Sequence, residues 1–177
     1  MDNFNTSLTE KTTNEWLTPP YIVQALGPFD LDPCAPRRNA RPWATAAFHF
    51  SGPRDMFDDP ADQERQCGLQ APWHGRVWLN PPYGDNTFAW MQKMALHRRG
   101  VALIFARTDT QGFHDEVFKK AHALFFFEGR LSFYRIDGTQ GDGSGAPSCL
   151  VSYDSEETNI IIAASDTGKI RGKLVIL

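Results

Sequence analysis

Three bulky apolar residues that run straight into a pair of prolines constrain this chain more than any other stretch in it. Arg76-Val77-Trp78-Leu79 has the length and side chains of a short buried strand, and Asn80-Pro81-Pro82-Tyr83 follows at once. Two consecutive residues without an N–H cannot continue a ladder, so the strand must end there. Beyond the turn, Phe88, Met91, Met94 and Ala95 recur at helical spacing over Thr87 to His97, and Val101 to Phe105 returns as an apolar strand. A strand, a helix and a strand in this order are most simply a parallel crossover. Phe113 to Lys120 reads as a further helix and Ala123 to Phe127 as a further strand. Such alternation predicts an α/β fold with helices layered on a sheet.

The flanking regions extend the pattern. Pro20 to Leu26 reads as a short helix with Thr18 as its N-cap and proline in its first turn. Gly27-Pro28 stops it, and Phe29-Asp30-Leu31-Asp32 follows as a strand ending in an acid, over which the helix packs. Between Pro33 and Trp73 only Ala46 to Phe50 reads as a strand. Leu131 to Tyr134, Ser148 to Tyr153, Ile160 to Ala163 and Lys173 to Leu177 read as strands of an antiparallel far edge. Asp137 to Gly145 is glycine-rich with almost no apolar residue, which predicts a mobile loop.

At 177 residues and 41% hydrophobic, the chain suits one domain. We place it over residues 14–177, after a polar, flexible segment 1–13 without the apolar or Arg-rich pattern of a targeting signal. No apolar run is long enough to span a bilayer. Cys34, Cys67 and Cys149 are odd in number and stand in no CxxC spacing, which argues against a disulfide framework or zinc knuckle and fits a cytoplasmic protein. The net charge of −3 gives no global pull toward a polyanion, so contact with nucleic acid must come from local basic clusters.

With proline at about 5% of residues, Asn-Pro-Pro-Tyr arises by chance in about one chain in a thousand of this length, so its place at a strand end calls for a reason. In open parallel sheets that edge is where ligands bind. The residue types suit the exocyclic amino group of adenine, a poor nucleophile because its lone pair is delocalised into the ring. Asn80 offers a neutral acceptor for the amino hydrogens, and Pro81 a main-chain carbonyl. The paired rings of Pro81 and Pro82 hold the backbone extended. Tyr83 offers an aromatic face for an extruded base. A sulfonium methyl as electrophile requires neither a metal nor a nucleophilic side chain.

Five segments, in this order, carry a more specific likeness: Glu15-Trp16-Leu17-Thr18-Pro19-Pro20, Phe29-Asp30-Leu31-Asp32-Pro33-Cys34-Ala35, Trp78-Leu79-Asn80-Pro81-Pro82-Tyr83, Ala106-Arg107-Thr108-Asp109-Thr110 and Gly129-Arg130-Leu131-Ser132-Phe133. They resemble successive motifs of the phage-type, Dam-like DNA N6-adenine methyltransferases. The resemblance implies a reduced Rossmann-like class I methyltransferase fold, a mixed sheet with helices on both faces. It also implies S-adenosylmethionine as donor, adenine in DNA as acceptor and, for a phage or prophage protein, the cytoplasm of a bacterial host. By the same resemblance Trp16, Thr18, Pro19, Asp32, Pro33, Cys34 and Ala35 line the cofactor pocket, and Asn80, Pro81, Pro82 and Tyr83 the base pocket.

Two departures stand out. The loop after Asp32 has no glycine, and where the family carries an acid before a Gly-Leu pair and a downstream Trp, this chain has Cys67-Gly68-Leu69 and Trp73. Asp55, Asp58 and Asp59 lie at a distance from Asp32 that suits a ribose-binding acid, commonly ~20 residues. Arg37, Arg38, Arg107, Asp109 and Arg130 are the candidate nucleic-acid contacts. Because no separate reading element is evident, sequence selectivity is expected to be low. Two rival readings remain at this stage. One is methylation of another planar amino group, cytosine N4, an RNA adenine or a protein glutamine, and the other is a non-catalytic DNA-binding module of the same fold.

Overall fold

The computed structural model describes residues 16–52, 61–84 and 86–177. The expected flexible segment 1–13 and the three aspartates Asp55, Asp58 and Asp59 lie outside the described residues. In chain order the elements are α1 (Pro20–Leu26), β1 (Leu31–Asp32), β2 (Phe48–His49), β3 (Val77–Leu79), α2 (Thr87–His97) and β4 (Gly100–Phe105). Then come α3 (Gln111–Phe113), which continues into a π-helical turn at His114–Phe118, β5 (Ala123–Phe127), β6 (Ser132–Tyr134), β7 (Gln140–Gly143), β8 (Ser148–Ser152), α4 (Ser155–Asp166) and β9 (Gly172–Ile176).

Seven strands form one mixed sheet in the order β2-β1-β3-β4-β8-β5-β9. The pairings from β2 to β4 are parallel, with Leu31 beside Val77 and Leu79 beside Ala102. β8 runs antiparallel between β4 and β5, and β9 is antiparallel to β5, so the far edge is antiparallel as expected, but the strand expected at Leu131 to Tyr134 is β6, which lies outside this sheet.

Alternating side chains divide two cores. Val77, Leu79, Ala102, Ile104 and Val151 pack with Trp90, Met91 and Met94 of α2 and Phe113 of α3. Trp78, Val101, Leu103, Phe125 and Leu150 pack with Ile22, Val23 and Leu26 of α1 and Ile161 and Ala164 of α4. Helices therefore cover both faces, an α/β arrangement compatible with a Rossmann-like fold. None of the helices among the described residues is long and apolar enough to cross a membrane.

Four local expectations need correction. Thr18 does not cap α1: the flanking position is Pro19, no side-chain cap bond forms, and Thr18 is instead buried. Ile160 to Ala163 is not a strand but the middle of α4. The Asp154 carboxylate accepts a bond from Glu157 N at 2.9 Å, and Glu157, Thr158, Ile161 and Ala164 form one buried face. That capping signal outweighs the β preference of three isoleucines. The buried Glu157 also receives an ion pair from Arg76 at 2.7 Å, which ties α4 to the start of β3.

Asp137 to Gly145 is not a loop throughout, because β7 pairs with β6 in a two-stranded ribbon. Asp137 accepts bonds from Thr139 N and Oγ1 at 2.8 and 2.6 Å, and Gly138 turns the chain at φ 83°. Backbone pairing needs no apolar side chains, so composition was a poor guide there. The strand expected from Phe29 is also shorter and begins at Leu31.

Candidate active site

From β1 the chain moves to β2 on one side, then returns past β1 to β3 and on to β4. The carboxyl ends of β1 and β3 therefore flank a topological switch point, where open α/β sheets leave a crevice. A cavity of about 280 Å³ opens there. Its wall contains Trp16, Thr18, Asp32, Pro33, Cys34 and Ala35 together with Asn80, Pro81, Pro82 and Tyr83. Two sets of residues separated by some fifty positions in sequence thus share one space. Pro19 is buried beside it but does not line it.

On the β1 side, one oxygen of Asp32 accepts from Cys34 N at 3.1 Å and the other from the Thr45 hydroxyl. Burial pushes this carboxyl up to about 6, although the Thr45 bond and the nearby Arg41 charge pull the other way. The Cys34 thiol donates to the main-chain oxygen of Asn80 at 3.0 Å, joining the two loops. Burial and the Asp32 charge push this thiol well above its ordinary value, so it stays a donor.

On the β3 side, the Asn80 Nδ2 donates to Trp16 O at 3.3 Å. That contact fixes which way the amide faces, and its Oδ1 is left buried without a partner among the described residues. Tyr83 stacks on Phe105, with ring centroids 3.9 Å apart and planes 4° from parallel, and Phe133 meets Tyr83 edge-on at 6.2 Å. One face of Tyr83 is thus already taken, leaving at most the other for a ligand. Its hydroxyl is buried without a partner among the described residues, and burial raises its pKa.

The front wall is held from far away in sequence. Leu17 N donates to Tyr134 O at 2.8 Å and Tyr134 N to Leu17 O at 2.9 Å, while the ring of Trp16 lies so close to Gly141 that a Cβ there would meet it at 2.7 Å. The β6–β7 ribbon therefore holds the segment that orients Asn80.

Sequence reasoning missed Thr45, Ser51, Gly52, Cys67, Gly68 and Trp90 as wall residues. The Cys67-Gly68-Leu69 and Trp73 spacing was the one available signal. A Cβ on Gly68 would lie 1.8 Å from Pro33 O, so only glycine lets this segment press against the loop after Asp32. Close approach is thus supplied by a glycine far from that loop. Lys93 Nζ donates to the carbonyls of Gly68 and Leu69 at 2.9 and 2.8 Å and to that of Ala71, and Trp73 Nε1 donates to Gly68 O at 2.7 Å. These bonds hold the turn in place.

Asp32 is the one acid in the wall among the described residues. Glu64, also buried, is committed elsewhere: Arg38 binds one oxygen at 3.0 Å and Arg41 the other. Burial alone would raise the Glu64 carboxyl, but the two guanidiniums prevail and hold it below its usual range. Beside it, burial and the Arg41 charge draw His49 down to about 4. Among the described residues, no group of three or more His, Cys, Asp or Glu is placed to hold a metal ion.

Arg37, Arg38, Arg107, Asp109 and Arg130 are exposed and outside the cavity wall. They follow the carboxyl ends of β1, β4 and β5, which point the same way, so all five stand at the cavity's edge of the sheet. The chain matches no protein-family model, no curated protein and no solved structure.

Proposed function

We propose that this chain is an S-adenosylmethionine-dependent methyltransferase with a reduced Rossmann-like class I fold that acts on the exocyclic amino nitrogen of adenine in DNA. One observation carries the reading: a buried amide oxygen, Asn80 Oδ1, without a partner among the described residues, in a cavity at the switch point of an α/β sheet. A buried acceptor left unpaired costs on the order of 1–3 kcal/mol, a cost that a ligand N–H removes.

The cavity's other features suit the donor. Asp32 is a carboxylate on an otherwise mostly apolar wall, and a cationic ligand favours its ionised form. S-adenosylmethionine carries such a cation and supplies an electrophilic methyl group. Asp32, Cys34, Ala35, Trp16 and Thr18 would hold it, and about 280 Å³ lies just below the ~300–1,000 Å³ usual for small-molecule sites. Asn80 Oδ1 accepts a hydrogen bond from the amino group and favours a tetrahedral nitrogen, with the Pro81 carbonyl as a second acceptor. Tyr83, held by Phe105, limits the orientation of the extruded base. Arg107 and Arg130 at the rim supply phosphate contacts. The β6–β7 ribbon is of a kind that the major groove admits, which weakens the ground for expecting low sequence selectivity.

The test is to digest DNA from cells expressing the protein and quantify methylated nucleosides. N6-methyladenine absent from control cells and from an Asn80→Ala strain supports the reading. N4-methylcytosine would move the activity to that base. Unmodified DNA, together with purified protein that binds no S-adenosylmethionine, would leave a binding module.

A further inference from the structure

Among the described residues, three of the cavity wall carry a buried polar atom without a partner: Trp78 Nε1, Asn80 Oδ1 and the Tyr83 hydroxyl. The first two are complementary. An indole N–H can only donate. Asn80 Oδ1 can only accept, since the amide's donors lie on the nitrogen that faces Trp16 O.

Their placement follows from the backbone. Leu79 points into the core with α2 and Trp78 into the core with α1. A residue before proline is held in the extended region, so Asn80 prolongs the alternation and its side chain falls on the Trp78 side. Trp78 has no exposed surface, and its ring is held by Phe29 at 5.4 Å. An unpaired donor and an unpaired acceptor therefore belong to side chains on the same face of the strand end, both at the cavity wall.

We infer that Trp78 is a specificity-determining residue whose Nε1–H donates to the ring nitrogen flanking the amino group that Asn80 engages. This rests on the methyltransferase reading. Amino-bearing bases present a donor beside an acceptor nitrogen, whereas guanine O6 and thymine O4 would turn an acceptor toward Asn80 Oδ1. A keto oxygen placed at Asn80 leaves Oδ1 unsatisfied whichever ring nitrogen Trp78 meets, so the pair selects the amino groups of adenine and cytosine over guanine O6 and thymine O4. Sites built to meet polar groups discriminate strongly for this reason.

The experiment measures kcat/KM on oligonucleotides whose target adenine is replaced by 1-deazaadenine or 7-deazaadenine. Each analogue lacks one ring nitrogen beside the amino group. Wild type and Trp78→Phe are compared, so the analogue's intrinsic reactivity cancels. The expected result is that one analogue lowers the wild-type value on the order of tenfold and the variant's by less than twofold. Equal losses in both proteins, or no loss with either analogue, would overturn the assignment. A buried water bridging the two groups would give that second result. Should Trp78→Phe fail to fold, benzothienylalanine at position 78 keeps the ring shape, replaces N–H by sulfur and is held to the same criterion. A wild type that methylates no DNA at all, analogue or not, refutes the methyltransferase reading itself and this inference with it.

Discussion

Replacing Asp32 by asparagine should make the ligand-free protein more stable and the donor site useless. The Asp32 carboxyl stands at about 6 instead of 3.8 because burial disfavours its charge. At about 1.4 kcal/mol per tenfold, that displacement amounts to about 3 kcal/mol against folding at neutral pH. Folding takes up a proton at this site. The neutral form's stabilisation is complete below about pH 4 and is lost as pH rises through about 6. Asparagine keeps both bonds, one from Cys34 N to its oxygen and one from its amide to the Thr45 hydroxyl, and remains neutral at every pH. Asp32→Asn should therefore gain about 3 kcal/mol at pH 7, or about 6–12 °C in Tm for a chain of this size. The gain should vanish near pH 4. Unfolding curves of both proteins between pH 4 and 8 measure it, with calorimetric titration of S-adenosylmethionine alongside. Wild-type affinity should fall below about pH 6, where Asp32 takes up its proton, and the variant's should be low throughout. A variant less stable than wild type at pH 7, or a stability difference flat with pH, would refute the reasoning.

Asn80→Ala should lower kcat roughly 10²–10³-fold while calorimetry finds cofactor affinity nearly unchanged, because the side chain acts on the base. Gly68→Ala should destabilise the protein by about 1–3 kcal/mol in denaturant and weaken cofactor binding, since its Cβ would displace the Pro33 backbone. Arg107→Ala and Arg130→Ala should each lower the slope of log affinity for DNA against log salt by about one, as read by fluorescence anisotropy.

Much of the sheet was legible because its strands are short apolar runs closed by strong stops. Val77 to Leu79 could end only at Pro81, and α2 occupies the Thr87–His97 span that Phe88, Met91 and Met94 mark out. The candidate site was legible where its residues lie at strand ends, as Asp32 to Ala35 and Asn80 to Tyr83 do. What escaped was set by distance. Phe105 behind Tyr83, Gly68 against Pro33 and Trp16 over Asn80 are contacts between segments that no local pattern links. The misreading of α4 was of another kind, since the Asp154 to Glu157 signal was present and three adjacent isoleucines obscured it.

The position of β8 has a consequence for how this molecule is made. It lies in the middle of the sheet, yet it follows β4 and β5 in the chain and is the strand that joins them. Until Ser148 to Ser152 has left the ribosome, β4 and β5 have no common ladder, and each exposes a row of unpaired N–H and C=O groups along an apolar strand. Such edges invite pairing with other chains. A nascent or truncated chain ending before Ser148 is therefore exposed to aggregation at its centre rather than at its rim, and a strand from near the end of the polypeptide acts as the keystone for what precedes it.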